Sequence, residues 1–190
     1  MNNLTDVYIR VAAWNKQRYD RVYNQNLAVA LLREEYNEWR TDTIPVKKLD
    51  GLCDVVYVAL GVVWKANIDP VMLGIAQQRS LATTDAIVNA FELNPGYFIS
   101  AIIDVLESEE DYPVEQAMMN IISLATAQAF SMGLSYDQFI EALLVVCDSN
   151  DSKSVKKVAA DVKANAGDKG SLFVAPEPRL LALLEQTNKF

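Results

Sequence analysis

Asp54-Val55-Val56-Tyr57-Val58-Ala59-Leu60-Gly61-Val62-Val63-Trp64 decides how this chain folds. Valine and aromatic residues dominate it, and β-propensity alone makes it a strand. The run shows no period-two alternation, has no turn signals around it, and lies in a chain whose other segments read as helices. We therefore read a helix from Pro45, which suits a first helical turn, to about Ala66. A helix apolar on every side is a buried one, and Asp54 is expected to be buried with it. An ionised carboxylate in such a place is costly unless it is paired or binds a cation, and a metal is the simplest partner.

Upstream, Leu31-Leu32-Arg33-Glu34-Glu35-Tyr36-Asn37-Glu38-Trp39 continues a helix that starts at Leu27, with Asn26 as its cap. Glu35 and Glu38 fall three apart on one face of it. Asp50 and Asp54 fall four apart on the next helix, with side chains about 5 to 6 Å apart within each pair. The connection Arg40-Thr41-Asp42-Thr43-Ile44-Pro45 is short enough to force antiparallel neighbours, with axes roughly 8 to 10 Å apart. Four carboxylates are thereby expected to converge on one small volume. The bland alternative is a solvated face with ion pairs to Arg33, Arg40, Lys47 and Lys48; it suits Glu34 and does not suit Asp54.

Composition narrows the chemistry. At 190 residues, with 51% hydrophobic and 22% charged residues, the chain has the makings of a sizeable core in one domain or two small ones. A net charge of -8 argues against nucleic-acid binding by phosphate neutralisation. The chain contains no histidine, which removes zinc sites with His ligands, carboxylate di-iron bundles with their Glu-x-x-His motif, and Ser-His or Cys-His nucleophile pairs. Oxygen ligation of a hard cation remains: magnesium, manganese or calcium. Cys53 and Cys147 both sit in apolar helical patterns and read as reduced, buried side chains of a cytoplasmic protein. The first residues show neither a basic region nor an apolar run, so no signal peptide is expected, and no apolar run reaches the roughly 18 residues a membrane span needs.

The remaining pattern is helical as well. Helices are expected at Leu4 to about Tyr19, Pro70 to Leu81 after an Asp69 cap, Thr84 to Leu93, Gly96 to Glu109, Pro113 to Met132, Tyr136 to Cys147 behind a Ser135 capping box, and Leu180 to Leu184. An internal repeat runs through them. A shift of 66 lays Asp50-Gly51-Leu52-Cys53-Asp54-Val55-Val56 on Gln116-Ala117-Met118-Met119-Asn120-Ile121-Ile122, and Asn67-Ile68-Asp69 on Gly133-Leu134-Ser135. A shift of 71 lays Glu34, Glu35 and Glu38 on Val105, Leu106 and Glu109. The chain thus reads as two helical halves, 1–93 with the acidic site and 94–190 as a copy with that site dismantled, in one compact unit.

Glu35-x-x-Glu38, a short loop, and then Asp50 and Asp54 opening an apolar helix that ends Gly61…Asn67-Ile68-Asp69 resemble the all-α nucleoside triphosphate pyrophosphohydrolases, the MazG-like, dimeric dUTPase and dCTPase superfamily. Asn26-Leu27-Ala28-Val29-Ala30-Leu31-Leu32 is similar to that family too. Ser149-Asn150-Asp151-Ser152-Lys153, Lys169-Gly170 and Pro176-Glu177-Pro178 resemble the phosphate-handling segments of its phage and bacterial members. The likeness spans about residues 24 to 180. It departs at Gly51, which stands where the family has a glutamate, leaving Asp50 in a shorter and differently angled position.

The resemblance implies an all-α bundle, here an internally duplicated pseudo-dimer. It also implies Mg²⁺, with Mn²⁺ as a substitute, held by Glu35, Glu38, Asp50 and Asp54, and cleavage of a nucleoside triphosphate between the α- and β-phosphates. Lys153 and Lys169 would clamp the outer phosphates, with Asn150 donating a hydrogen bond; Asn26 and Trp14 are base contacts by analogy of position, against plainer readings as a helix cap and a core aromatic. Without histidine, the base is a carboxylate, Glu34 or Glu38, or hydroxide on the metal. The partners implied are a nucleotide substrate and, with a monomeric pseudo-dimer as the alternative, further copies of the chain; no nucleic acid and no membrane. The expected location is the cytoplasm, that of the host if the chain is phage-encoded. A non-catalytic relative that kept the fold, or a bundle held together by calcium or magnesium, is the competing class.

Overall fold

The computed structural model describes residues 3–75, 78, 94–108, 112–156 and 169–187. Among them there are helices and connections and no strand: α1 Leu4–Arg18, α2 Gln25–Thr41, α3 Pro45–Lys65, α4 Tyr97–Ser108, α5 Val114–Ser131, α6 Tyr136–Asp151 and α7 Glu177–Thr187, with residues 71–75 also helical. The fold class is all-α. The helix expected from Thr84 to Leu93, most of that from Pro70 to Leu81, and Glu109 lie outside the described residues.

The apolar run that could have been a strand is the axis of the molecule. α3 packs against α1, α2, α5, α6 and α7, and Leu49, Leu52, Val56, Ala59, Leu60 and Val63 are fully buried. A helix closes its backbone hydrogen bonds within itself, so it tolerates burial from every direction, whereas a strand here would need a partner strand, and there is none among the described residues. The short connection at 42–44 folds α2 back onto α3. Gly51 lies where the two come closest: a Cβ there would stand 3.0 Å from the Cα of Trp39. A larger side chain at 51 would therefore press on the α2 backbone.

Several helix ends differ from expectation. Asn24, not Asn26, caps α2: its side chain accepts from the Leu27 amide at 3.0 Å, and the helix has already begun at Gln25. α6 continues past Cys147 to Asp151. Its last turn is polar in sequence yet packs against α1, where Arg10 bonds Asp148 at 2.7 Å and also pairs with Asp151. α7 begins at Glu177 rather than Leu180 and runs on to Thr187. The Ser135 capping box is present, and the Asp69 side chain accepts from the Val71 amide at 2.9 Å, as expected of a cap.

The ends of α3 and α5 match bond for bond at a spacing of 66. The described residues with positive φ are Asn67, at 57°, and Gly133, at 90°. Around them Ile68 N–H donates to Val63 C=O at 3.1 Å and Leu134 N–H to Ala129 C=O at 3.2 Å. Asn67 N–H donates to Trp64 C=O at 3.3 Å and Gly133 N–H to Phe130 C=O at 2.8 Å. Both helices stop through a left-handed residue that returns a buried aliphatic, Ile68 or Leu134, to the core.

Candidate functional site

A cavity of about 600 Å³ opens between α2 and α3, walled at the sides by Trp14, Asn15 and Tyr19 of α1 and its exit and by Asn150 and Lys153 of α6 and its exit. Each long helix contributes one stripe. From α2 come Leu27, Leu31, Glu34, Glu35 and Glu38; from α3, Asp54, Tyr57, Gly61 and Lys65. These are successive three- and four-residue steps along single helix faces. Because α2 folds back on α3, its acidic C-terminal half meets the middle of α3 at Asp54. One end of the cavity is therefore acidic, and the other, around Tyr19, Tyr23 and Lys65, is aromatic.

Two of the four cations expected to neutralise this face, Arg33 and Lys48, are engaged elsewhere. Arg33 pairs with Asp104 at 3.0 Å and with Glu107 on α4, and the Lys48 ammonium lies over the Trp39 ring, 5.2 Å from its centroid. Among the described residues, Glu35, Glu38, Asp50 and Asp54 have no ion-pair partner within 4.0 Å. Burial, reinforced by Glu38 and Glu34, pushes the Glu35 carboxyl up to about 7. Burial, then Asp50 and Glu35, drives Asp54 well above the ordinary carboxylate range. The positive charge facing them is Lys153, which burial holds below the usual lysine value while Asp54 and Glu35 pull it back up. Its ammonium donates to Asn150 Oδ1 at 2.8 Å, and Asn150 Nδ2 donates to Val146 C=O at 3.1 Å, so an asparagine tied to α6 positions the lysine.

Trp14, Glu34, Glu35, Glu38, Asp54, Asn150 and Lys153 thus meet in one cavity. Asn150 is buried on a helix and is not part of a solvated loop. Asn26 does not meet them: it is exposed and borders a separate shallow hollow with Arg33, Asn37 and Glu107. Asp50 is not part of the cavity wall either; burial, then the charge of Glu177 at the start of α7, raises it to about 6, with Lys153 and Lys169 opposing. Lys169 is exposed, its ammonium 4.9 Å from the centroid of the Phe173 ring. Convergence is looser than the spacing suggests, since among the described residues no three Asp, Glu, Cys or His side chains are placed to hold an ion.

Asn15, Tyr23 and Tyr57 line this cavity without a role foreseen from the sequence, and Glu177, quoted there only within its Pro-Glu-Pro segment, lies close enough to Asp50 to act on its charge. The Glu177 Oε2 atom and the Tyr23 and Tyr57 hydroxyls are buried without a hydrogen-bond partner.

No protein-family model, curated protein or solved structure compared with the chain matches it. Function has to be argued from the cavity.

The donor chemistry fits a hard divalent cation: unpaired carboxylate oxygens, no histidine and no available thiol, since both cysteines are buried. Magnesium keeps several of its waters and is held through one or two carboxylates together with substrate phosphates, so it needs no closed protein cage. Open carboxylates on one wall and a lysine on the other suit that mode of binding.

Proposed function

We propose that this protein is a magnesium-dependent nucleoside triphosphate pyrophosphohydrolase, releasing a monophosphate and pyrophosphate. The observation that carries the reading is the cavity's acidic end: Glu35, Glu38 and Asp54 without ion-pair partners, facing Lys153. Carboxylates held unpaired at partial burial, as Glu35 and Asp54 are, destabilise the fold, and they are retained where a cation neutralises them. One or two of Glu35, Glu38 and Asp54 would hold Mg²⁺ together with substrate phosphates, with Asp50 behind them. The ion supplies charge neutralisation on the phosphate oxygens and activation of the attacking water.

The chain's own residues do the rest. Lys153, positioned by Asn150, draws the outer phosphates to the wall opposite the carboxylates. Glu34, beside Glu35 on the same wall, or Glu38 takes the proton from the attacking water. The cavity orients the α-phosphate between them, and such positioning supplies much of the barrier lowering in phosphoryl chemistry.

The test is pyrophosphate release from a panel of nucleoside triphosphates with Mg²⁺, beside Glu38→Gln and Asp54→Asn. Turnover lost by about a hundredfold or more in both variants is expected. Absence of turnover across the panel, in a folded protein whose melting temperature Mg²⁺ still raises, would instead establish the non-catalytic, metal-stabilised relative.

A further inference from the structure

Lys153 stands at an awkward place for a precise ligand. It is the second residue beyond α6, and the residues that follow it, Ser154 to Lys156, are exposed. A lysine stem is long and flexible, so the reach of its ammonium depends on where its backbone is held. What holds it comes from α1. Arg10, Trp14 and Arg18 are four residues apart and share one face of that helix. Along this face Arg10 pairs with Asp148 and Asp151, the Trp14 indole N–H donates to Asn150 C=O at 2.9 Å, and Arg18 Nη2 donates to Lys153 C=O at 3.2 Å. The contacts step along the end of α6 in the order in which the three residues step along α1, and the last of them falls on Lys153.

Arg18 is the costly member of the three, because it is only 2% exposed and a guanidinium loses hydration on burial. It lies 4.2 Å from the Trp14 ring centroid, and its Nη1 donates to Trp14 C=O at 3.3 Å. A planar, forked cation can face a ring and reach two carbonyls at once; a lysine ammonium cannot. Were the packing of α1 on α6 the only requirement, an apolar side chain of the same length would serve without burying a charge. The contact that an apolar side chain could not replace is the one to Lys153. That residue is otherwise held by its N–H, which donates to Asn150 C=O at 3.2 Å, and by its ammonium, which donates to Asn150 Oδ1 at 2.8 Å. With Arg18 on its carbonyl, Lys153 is fixed at three points.

We propose that Arg18 is a positioning residue for the anionic ligand: by holding the Lys153 carbonyl against α1, it keeps the Lys153 ammonium across the cavity from Glu35 and Asp54. That the ligand carries a chain of phosphates rests on the function proposed above; the coupling of Arg18 to Lys153 rests on their contact and on the burial of the guanidinium.

Binding of inorganic tripolyphosphate with Mg²⁺, measured by calorimetry on the full chain, reads this coupling without turnover. Lys153→Met is expected to weaken binding about tenfold or more, and Arg18→Met about three- to tenfold. Methionine keeps the length of the side chain and removes a buried charge, so the melting temperature of Arg18→Met should hold, which a merely structural role would not allow. The double variant should bind no more weakly than Lys153→Met, because Arg18 acts through that side chain. Arg18→Lys keeps the charge without the planar fork; it should lose affinity too, and it carries the test should Arg18→Met not fold. Losses that multiply in the double variant, parental affinity in either Arg18 variant, or no tripolyphosphate binding by the parent would overturn the assignment, even if pyrophosphate is released from nucleotides. Coupled losses in a protein that releases no pyrophosphate from any triphosphate would keep Arg18 in this role and remove the hydrolase reading.

Discussion

Gly51 and Asp50 show how a single position constrains the site. A Cβ at 51 would meet the Trp39 backbone at 3.0 Å, and backbone atoms at a helix crossing have little room to yield. Gly51→Glu is therefore expected to cost about 1–3 kcal/mol and to lower the thermal midpoint without raising activity. A variant as stable as the parent, with faster turnover, would show that the position faces the cavity after all. Gly51 reads in the sequence as a lost ligand; its packing role is invisible there because it depends on the distance between two helices. The same limit applies to Asn15 and Tyr57. A lone asparagine on an amphipathic helix and a tyrosine in an apolar run carry no signal until α1 is laid against α3.

At the scale of elements, the order of helices was readable wherever apolar spacing and punctuation agreed. The start of α3 at Pro45, the capping box at Ser135 and the stop at Asn67 were all found from local chemistry. The end of α6 was not, because Asp148-Ser149-Asn150-Asp151 has the composition of a loop and is held helical by Arg10 and by the burial of Ser149 and Asn150. Asn26 read as the cap of α2, and only the helix register shows that Asn24, two residues earlier, holds that place. The paired stops of α3 and α5 give a prediction at this scale. Gly133, at φ 90°, has no L-residue equivalent without strain, so Gly133→Ala should cost about 1 kcal/mol or more in denaturant midpoint at constant slope. Asn67, at φ 57°, lies in the region glycine also occupies freely, so Asn67→Gly should be neutral within about 0.5 kcal/mol. Equal losses in both would mean that the two stops are not the same device.

Across the whole molecule, the acidic end of the cavity sets how stability depends on pH. Glu35 is raised from 4.5 to about 7 and Asp50 from 3.8 to about 6, and Asp54 moves the same way. Between each unfolded and folded value the native state holds more protons than the unfolded chain, so stability falls as pH rises through that window. The Glu35 and Asp50 contributions are fully present below about pH 4 and are lost as pH rises through about 6 and 7. That of Asp54 is lost at higher pH still. Asp148, lowered because its hydrogen bonds to Arg179 and Arg10 outweigh burial, has the opposite sign and acts only in acid. The metal-free protein is thus expected to lose on the order of 1–2 kcal/mol between pH 5 and pH 8, after allowance for the cavity's openness to solvent. A net charge of -8 would produce a slope of the same sign by general repulsion, but sodium chloride would screen that repulsion as well as magnesium does. A cation that replaces the protons at Glu35 and Asp54 acts differently. Millimolar Mg²⁺ should raise the melting temperature more at pH 8 than at pH 5, sodium chloride at matched ionic strength should not reproduce the gain, and Asp54→Asn should both flatten the pH slope and abolish the Mg²⁺ effect. Equal effects of the two salts would reduce the carboxylate cluster to surface charge and take the metal out of the mechanism.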